Sequence, residues 1–78
     1  MPNSLRSRRH RALVSVIVDA RKAAGLTQRD LAAKLRVPQS LIAMIESYQR
    51  RVDVIEFLDL CRALKVPPHE LLDQLLKR

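Results

Sequence analysis

The stretch G-L-T-Q-R-D-L-A-A-K-L-R-V-P-Q-S-L-I-A-M-I-E, residues 25–46, predicts two short helices joined by a tight turn. The hydroxyl of Thr27 can accept a hydrogen bond from a free backbone N–H group, and Asp30 three residues later gives a variant of the capping box. Apolar residues then recur at helical spacing, and the short side chain of Ala32 allows a second helix to cross closely. These features predict a first helix over residues 28–35.

A proline separates this helix from the second one. The residue before a proline is disfavoured in the α region, whereas Pro38 itself is tolerated where a helix starts. Beyond it, an apolar stripe predicts the buried face and contains Leu41, Ile42, Ile45 and, as a further candidate, Tyr48. The outward face is then short and uncharged, with Gln39, Ser40, Ala43, Met44 and Ser47.

Residues 13–24 predict a helix that supports this pair. The segment V-S-V-I-V is rich in β-branched residues, which leaves a short strand as the alternative. No turn signal interrupts the chain before Gly25, so length and continuity favour a helix that ends at this glycine. Its apolar positions are Leu13, Ile17, Ala20 and Ala24.

A further helix is predicted after the loop at residues 47–52. Asp53 and Glu56 form a capping pair at its start. Its predicted inward face consists of Val54, Phe57, Leu58, Cys61 and Leu64. Cys61 is expected to be an interior apolar side chain, because no residue near it in sequence would lower its pKa.

The prolines at residues 67 and 68 predict the start of a last helix, which continues over residues 69–78. Its apolar face is broad, so part of it can pack inward while the rest is exposed on a monomer. Leu72, Leu75 and Leu76 are therefore candidates for contact with a second copy of the chain, with purely internal packing as the alternative.

Positive charge is concentrated in the first two thirds of the chain. Residues 1–51 hold eleven Lys and Arg against three Asp and Glu, whereas residues 52–78 hold four against five. A basic surface suits a polyphosphate partner and a salt-sensitive affinity, although solubility alone also explains such a charge. Residues 1–11 carry four arginines and no acid, which predicts a basic arm or a frayed first helical turn before a single domain at 12–78.

Several kinds of protein are disfavoured by features that the sequence lacks. No tract is long and apolar enough to span a bilayer and no apolar signal core follows the first arginines, so a cytoplasmic protein without a membrane partner is expected. Cys61 cannot form an internal disulfide, and His10 and His69 are too scattered to bind a metal with it. Without a Ser/His/Asp set or a glycine-rich phosphate loop, no catalytic residue, cofactor or small-molecule ligand is expected.

The two-helix stretch resembles a known family. The segments A-G-L-T-Q-R-D-L-A at residues 24–32 and I-E at residues 45–46 resemble the corresponding segments of helix-turn-helix regulators of the phage repressor, Cro and xenobiotic-response-element (XRE) type. Residues 50–58 and A-L-K-V-P-P-H-E-L-L at 63–72 extend the likeness. The resemblance implies an all-α fold, a compact five-helix bundle of the lambda-repressor-like DNA-binding type with its helix-turn-helix formed by helices 2 and 3.

The resemblance also implies which residues touch DNA. The second helix of such a unit lies in the major groove with its first turn against base edges, while the first helix crosses the backbone. Base contacts are then expected from Gln39, Ser40, Ala43 and Met44, and phosphate contacts from Gln28, Arg36, Arg50 and Arg51. Gln39 can bond bidentately to adenine and Ala43 can meet a thymine methyl group.

Two residue choices depart from the family pattern. Arg36 stands where the family commonly has glycine, in a turn that often needs a positive φ, so either the turn is reshaped or Arg36 accepts strain. Ala43 and Met44 replace the long polar residues of many relatives, which predicts weaker direct readout and a larger share for DNA shape.

The expected function is therefore that of a small transcriptional regulator. One short domain makes few phosphate contacts, so a homodimer bound to an inverted repeat of double-stranded DNA is expected. An antitoxin-type module that covers a protein partner with its C-terminal helix is the alternative, and a basic helix bound to a membrane surface is a third.

Overall fold

Polar caps, prolines and left-handed residues divide the chain into five helices. The computed structural model describes residues 7–78. The helices are α1 (Arg8–Ala23), α2 (Gln28–Leu35), α3 (Gln39–Glu46), α4 (Val54–Leu64) and α5 (Pro68–Leu76). Residues 7–78 contain no strand, so the prediction of an all-α five-helix fold is confirmed and the strand alternative for V-S-V-I-V is excluded.

Both predicted capping boxes are present. At the start of α2, the backbone N–H of Asp30 donates to the Thr27 hydroxyl over 3.0 Å, and the Thr27 N–H donates to the Asp30 carboxylate over 2.9 Å. Hydrogen bonds to the Asp30 carboxylate, first from the Thr27 backbone N–H and second from the Thr27 side chain, hold the pKa of Asp30 below its usual value. Asp53 and Glu56 exchange the same pair of bonds at the start of α4, over 2.7 and 3.1 Å.

The first helix begins five residues before its predicted start. The Ser7 hydroxyl accepts a hydrogen bond of 3.1 Å from the backbone N–H of His10. This bond caps the N-terminus of α1 inside the basic segment at residues 1–11. Residues 8–11 therefore form a first helical turn, and residues 1–6 of the predicted arm lie outside the described residues. As predicted, α1 closes at Gly25, which has φ +74°.

The core lies where α1, α2, α3 and α4 meet. It contains Ile17, Leu31, Ala32, Ile42, Leu60 and Leu64, and a second cluster of Phe57, Cys61 and Leu71 joins α4 to α5. Cys61 is interior as predicted, and burial raises the pKa of its thiol. None of the helices in residues 7–78 combines the length and apolar character that crossing a membrane requires.

The predicted inward face of α4 is partly wrong. Val54 is 72% exposed and Leu58 is 43% exposed, whereas Leu60, which was not predicted to face inward, is buried. The run V-I-E-F-L-D-L-C-R-A-L contains two overlapping apolar stripes at helical spacing. Only contact with the other helices decides which stripe is buried, and it selects the stripe that contains Phe57 and Leu60.

Candidate nucleic-acid interface

The outward face of α3 carries the four residues expected to touch bases. Gln39 and Ser40 are exposed in the first turn, Met44 is 39% exposed one turn later, and Ala43 is half-buried beside it. Ile42 and Ile45 are buried on the opposite face, as predicted. The helix therefore presents one side to solvent and is held to the core by the other.

A buried carboxylate fixes the C-terminal end of α3 to the helices before it. The Arg21 guanidinium donates from Nε to Glu46 Oε2 over 2.7 Å and from Nη2 to Oε1 over 3.0 Å. Only 11% of the Arg21 side chain and 7% of the Glu46 side chain are exposed. The same guanidinium donates from Nη1 to the carbonyl oxygen of Leu26 over 2.7 Å. One ion pair thus joins α1, the turn before α2 and α3.

Gln28 belongs to this network as well. Its amide Nε2 donates to Glu46 Oε1 over 2.9 Å, and its side chain is half-buried at the first residue of α2. The structure therefore places the predicted phosphate-contacting glutamine beside α3 and oriented by Glu46. Glu46 in turn accepts three hydrogen bonds, all from α1 and α2.

The turn between α2 and α3 keeps the left-handed conformation although it has no glycine. Arg36 has φ +58° and ψ +43°, and its backbone N–H donates toward the carbonyl oxygens of Ala32 and Ala33. Of the two outcomes expected for this residue, the structure shows the second, because Arg36 accepts the strained angle and the turn is not reshaped. Its side chain is exposed next to the start of α3.

The loop after α3 holds the other two arginines expected to contact phosphates, and it uses them differently. The Arg50 guanidinium donates to both carboxylate oxygens of Glu56, over 2.8 and 2.6 Å, and to the carbonyl oxygen of Arg51 over 2.9 Å. This pair holds the pKa of Glu56 below its usual value. Arg51 is exposed, whereas Arg50 is half-buried and ties the loop to the start of α4.

The first turn of α1 packs against this loop. The rings of His10 and Tyr48 meet edge to face with centroids 6.4 Å apart, and the Arg11 guanidinium lies 4.7 Å from the centre of the Tyr48 ring. Tyr48 itself has φ +66°. His10 is buried and its Nε2 has no hydrogen-bond partner within residues 7–78. Burial, followed by the charge of Arg51, lowers the pKa of His10.

The candidate residues for contact with a second copy lie partly exposed on α5. Leu72 is 46% exposed and Leu76 is 72% exposed, Leu75 is half-buried, and Leu71 is sealed in the core. A groove of about 280 Å³ runs beside them and is lined by Arg8, Arg9, Ala12, Leu75, Leu76 and Arg78. A second exposed apolar surface, which was not predicted, lies on α4 at Val54, Ile55 and Leu58.

Sequence reasoning missed the internal partners of the site. Arg21 was not singled out, and His10 was considered only as a metal ligand, yet Arg21 holds α3 in place and His10 supports the loop that carries Arg51. The available signal for Arg21 was Glu46, the one charged residue of α3, which lies next to buried Ile45. A carboxylate that is withdrawn from water needs a cationic partner. Among the described residues, no group of three His, Cys, Asp or Glu side chains is arranged to hold a metal ion.

Comparison with known proteins agrees with this geometry. The family model described as helix-turn-helix matches residues 17–71. No curated protein sequence matches the chain.

Solved structures resemble the chain over most of its length. An XRE-family like protein from Pseudomonas syringae pv. tomato str. DC3000 is 46% identical, with a TM-score of 0.82 over 88% of this chain and 84% of that one. The restriction-modification controller protein C.Esp1396I, solved as a tetramer in complex with its natural 35 base-pair operator, is 27% identical, with a TM-score of 0.84 over 91% of this chain and 93% of that one.

A second controller protein extends the comparison. C.AhdI from Aeromonas hydrophila is 31% identical, with a TM-score of 0.73 over 80% of this chain and 94% of that one. The helix-turn-helix model covers more than half of the chain, and two of these structures exceed 30% identity. The chain therefore belongs to the XRE-type helix-turn-helix family of DNA-binding transcriptional regulators.

Proposed function

We propose that the protein binds double-stranded operator DNA as a homodimer, with α3 of each copy in the major groove. The observation that carries this proposal is the exposed face of α3, which is held by a buried ion pair and flanked by the exposed side chains of Arg36 and Arg51. A helix that presents an uncharged face between cations can approach base edges while the cations meet the phosphates.

Base recognition is assigned to the first two turns of α3. Gln39 and Ser40 are both exposed at the N-terminal end, where a recognition helix enters the groove. The amide of Gln39 can accept from and donate to one adenine, and the Ser40 hydroxyl can do either with a neighbouring base. Ala43 and Met44 follow one turn later on the same face.

Phosphate contacts are assigned to four residues with unequal roles. Arg36 and Arg51 are exposed at the two ends of α3 and carry their charge at the surface. Gln28 is oriented by Glu46 at the start of α2, where the helix dipole also favours an anion. Arg50 is bonded to Glu56, so we assign it to holding the loop as well as to the phosphate that this loop meets.

The second copy is proposed to dock on α5. A two-fold axis across this helix sets it antiparallel to its copy, so Leu72 of one copy meets Leu76 of the other. The same operation brings the acidic N-terminal half of α5, with Glu70 and Asp73, to the end where Arg8 and Arg9 line the groove. The surface is thus self-complementary in both apolar character and charge.

Dimer formation sets the form of the operator. Two recognition helices related by a two-fold axis read two half-sites roughly 34 Å apart, so the site is an inverted repeat. A regulator of this kind acts where the DNA is, and we infer a cytoplasmic protein without catalytic activity. Two of the matched structures are restriction-modification controller proteins by name, which favours this function over the antitoxin alternative.

The test is selection of bound duplexes from a random pool at two salt concentrations. A convergent inverted repeat supports the proposal, whereas salt-sensitive binding without a consensus contradicts sequence-specific regulation. Gln39→Ala should change the preferred base at one position of each half-site, at a cost of about 1–3 kcal/mol for the original base.

A matched set of arginine variants separates phosphate contacts from general charge effects. Arg51→Ala should weaken all duplexes by a similar factor and reduce the slope of log K against log salt by about one per site. Arg62→Ala removes the same charge from an exposed position on α4 and should leave affinity nearly unchanged. Equal losses for the two variants would show that the loop after α3 does not contact the duplex.

A further inference from the structure

The outward face of α3 has an apolar half that hydrogen bonding to bases does not explain. Met44 is 39% exposed and Ala43 lies half-buried beside it, one turn after the polar pair Gln39 and Ser40. No charged side chain is available on this helix, because its single carboxylate, Glu46, is occupied by Arg21 and Gln28. The second turn of α3 therefore offers a duplex the apolar side chains of Ala43 and Met44, and the hydroxyl of Ser47 after them donates to the Met44 carbonyl oxygen.

The major groove contains one kind of apolar group that matches such a surface. Every base edge presents hydrogen-bond donors or acceptors, and burying these under an apolar side chain without a replacement partner is unfavourable. The exception is the methyl group at C5 of a pyrimidine, which thymine carries and which 5-methylcytosine also carries. An exposed methionine gains from contact with this methyl group and is penalised over the other base edges.

The spacing along α3 fixes where the methyl group should lie. Residues one turn apart are about 5.4 Å apart along the helix axis, while successive base pairs are about 3.4 Å apart. The polar pair and the apolar pair therefore meet positions one or two base pairs apart in the same half-site. Met44 is flexible and unbranched, so it can cover a methyl group on either strand within that distance.

We propose that Met44, assisted by Ala43, recognises a pyrimidine C5 methyl group one or two base pairs from the position that Gln39 reads. This inference rests on the proposed placement of α3 in the major groove and adds the chemical class of base that its second turn selects. Thymine is the source of the methyl group in unmodified DNA, and 5-methylcytosine is the source in methylated DNA.

The test replaces single thymines by uracil in the duplex that emerges from selection. Uracil pairs identically and lacks only the C5 methyl group, so the exchange isolates the proposed contact. At one or two positions in each half-site, uracil should weaken binding by about fourfold, the value of one buried methyl group. Equal affinity for thymine and uracil at every position would overturn the inference.

Two variants assign the effect to Met44. Met44→Ala should reduce the difference between the thymine and uracil duplexes to well below fourfold at the position that Met44 covers, whereas Gln39→Ala should keep the fourfold difference there. Met44 is partly exposed and contributes to no core cluster, so the variant should retain its fold, which circular dichroism checks. Retention of the full fourfold thymine preference in Met44→Ala would also overturn the inference.

A third comparison distinguishes the two sources of the methyl group. At the same position, a C·G pair should bind more weakly than a pair that contains 5-methylcytosine if the methyl group itself is recognised. If both bind equally weakly, the other edges of the thymine pair are required and thymine is the only source. Failure of the proposed function is distinct from both results, because the selection would then yield no consensus duplex in which to exchange a thymine.

Discussion

Glu46 is the residue on which the position of α3 depends most directly. Its carboxylate accepts two hydrogen bonds from Arg21 and one from Gln28, and the ion pair is almost fully withdrawn from solvent. Removing one partner of a buried pair leaves the other charge uncompensated, which costs far more than the loss of a surface pair. The contribution of Glu46 can therefore be isolated by one isosteric substitution.

Glu46→Gln should lower the free energy of unfolding by about 3 kcal/mol or more, since it leaves the Arg21 guanidinium buried without a counter-charge. Urea denaturation followed by circular dichroism measures the change. Asp19→Asn is the matched control, because Asp19 pairs with Arg78 at the surface over 2.9 Å and its side chain is 59% exposed. This control should cost less than about 1 kcal/mol, and equal losses in the two variants would contradict a special role for Glu46.

His10 makes stability depend on pH. Its folded-state pKa lies below the ordinary value of 6.5, first because the ring is buried and second because Arg51 carries a like charge. The unfolded chain therefore binds this proton more readily than the folded chain. The contribution of neutral His10 to the free energy of unfolding should therefore be complete above pH 6.5. It should be lost progressively as the pH falls from 6.5 through the folded-state pKa.

The groups around His10 support this direction. Arg11, on the same helix, contacts the Tyr48 ring against which His10 packs, and no carboxylate in the described part of the chain is bonded to His10 Nε2. His10→Gln should remove most of the loss of stability between pH 6.5 and 5 in urea titrations. The same substitution at exposed His69 should leave the loss in place, and a loss that follows His69 would contradict the assignment.

The sequence predicted which side chains of α3 face outward but not what holds them there. Gln39, Ser40 and Met44 follow from helical periodicity, which is a property of neighbouring residues. The bond between Arg21 and Glu46 spans 25 positions in sequence, and its geometry depends on how α1 and α3 cross. Periodicity contains no information about such a crossing, so this pair became visible only in the structure.

Among the elements, the ends of the helices were the most predictable. The boxes at Thr27 and Asp53 need only residues three positions apart, so local sequence determines them. The inward face of α4 required knowledge of its neighbours, and the prediction was wrong at Val54 and Leu58. Local chemistry therefore gave the boundaries, while packing between elements decided which stripe is buried.

Two helices end in the same strained way, which provides a matched pair for mutation. Arg36 closes α2 at φ +58° and Lys65 closes α4 at φ +59°, both in the left-handed region that favours glycine. Replacing either residue by glycine should raise the free energy of unfolding by about 1 kcal/mol. Urea denaturation of the two variants checks this equality.

The two variants should differ in DNA binding. Arg36→Gly removes a charge beside α3 and should weaken all duplexes, whereas Lys65→Gly lies on the turn before α5 and should leave affinity unchanged. Titration with a fluorescent duplex measures the difference. If Arg36→Gly bound as tightly as the wild type, then the arginine at this turn would have no contact with phosphate.

At the scale of the whole molecule, two exposed apolar surfaces compete as the contact between copies. Leu76 on α5 and Val54 on α4 are each 72% exposed, so a charged residue is tolerated equally well at either position in a monomer. Leu76→Glu should shift the protein to monomer in analytical ultracentrifugation and weaken operator binding by tenfold or more, since the second half-site is lost.

Val54→Glu is the matched control for the dimer and should leave both the oligomeric state and operator affinity near those of the wild type. Dissociation by Val54→Glu instead would place the contact on α4 and would contradict the assignment of Leu72, Leu75 and Leu76. The sequence predicted the α5 surface from its excess of leucines but not the α4 surface, since the latter depends on which stripe of α4 is buried.

The network around Glu46 leaves the outward side chains of α3 outside the fold's supporting contacts. Gln39, Ser40 and Met44 take no part in the core clusters, whereas the bonds that orient the helix come from α1 and α2. Base preference can consequently diverge among gene duplicates without loss of thermal robustness. The same separation makes this chain a scaffold in which the preferred operator sequence can be changed by substituting a few exposed residues of α3.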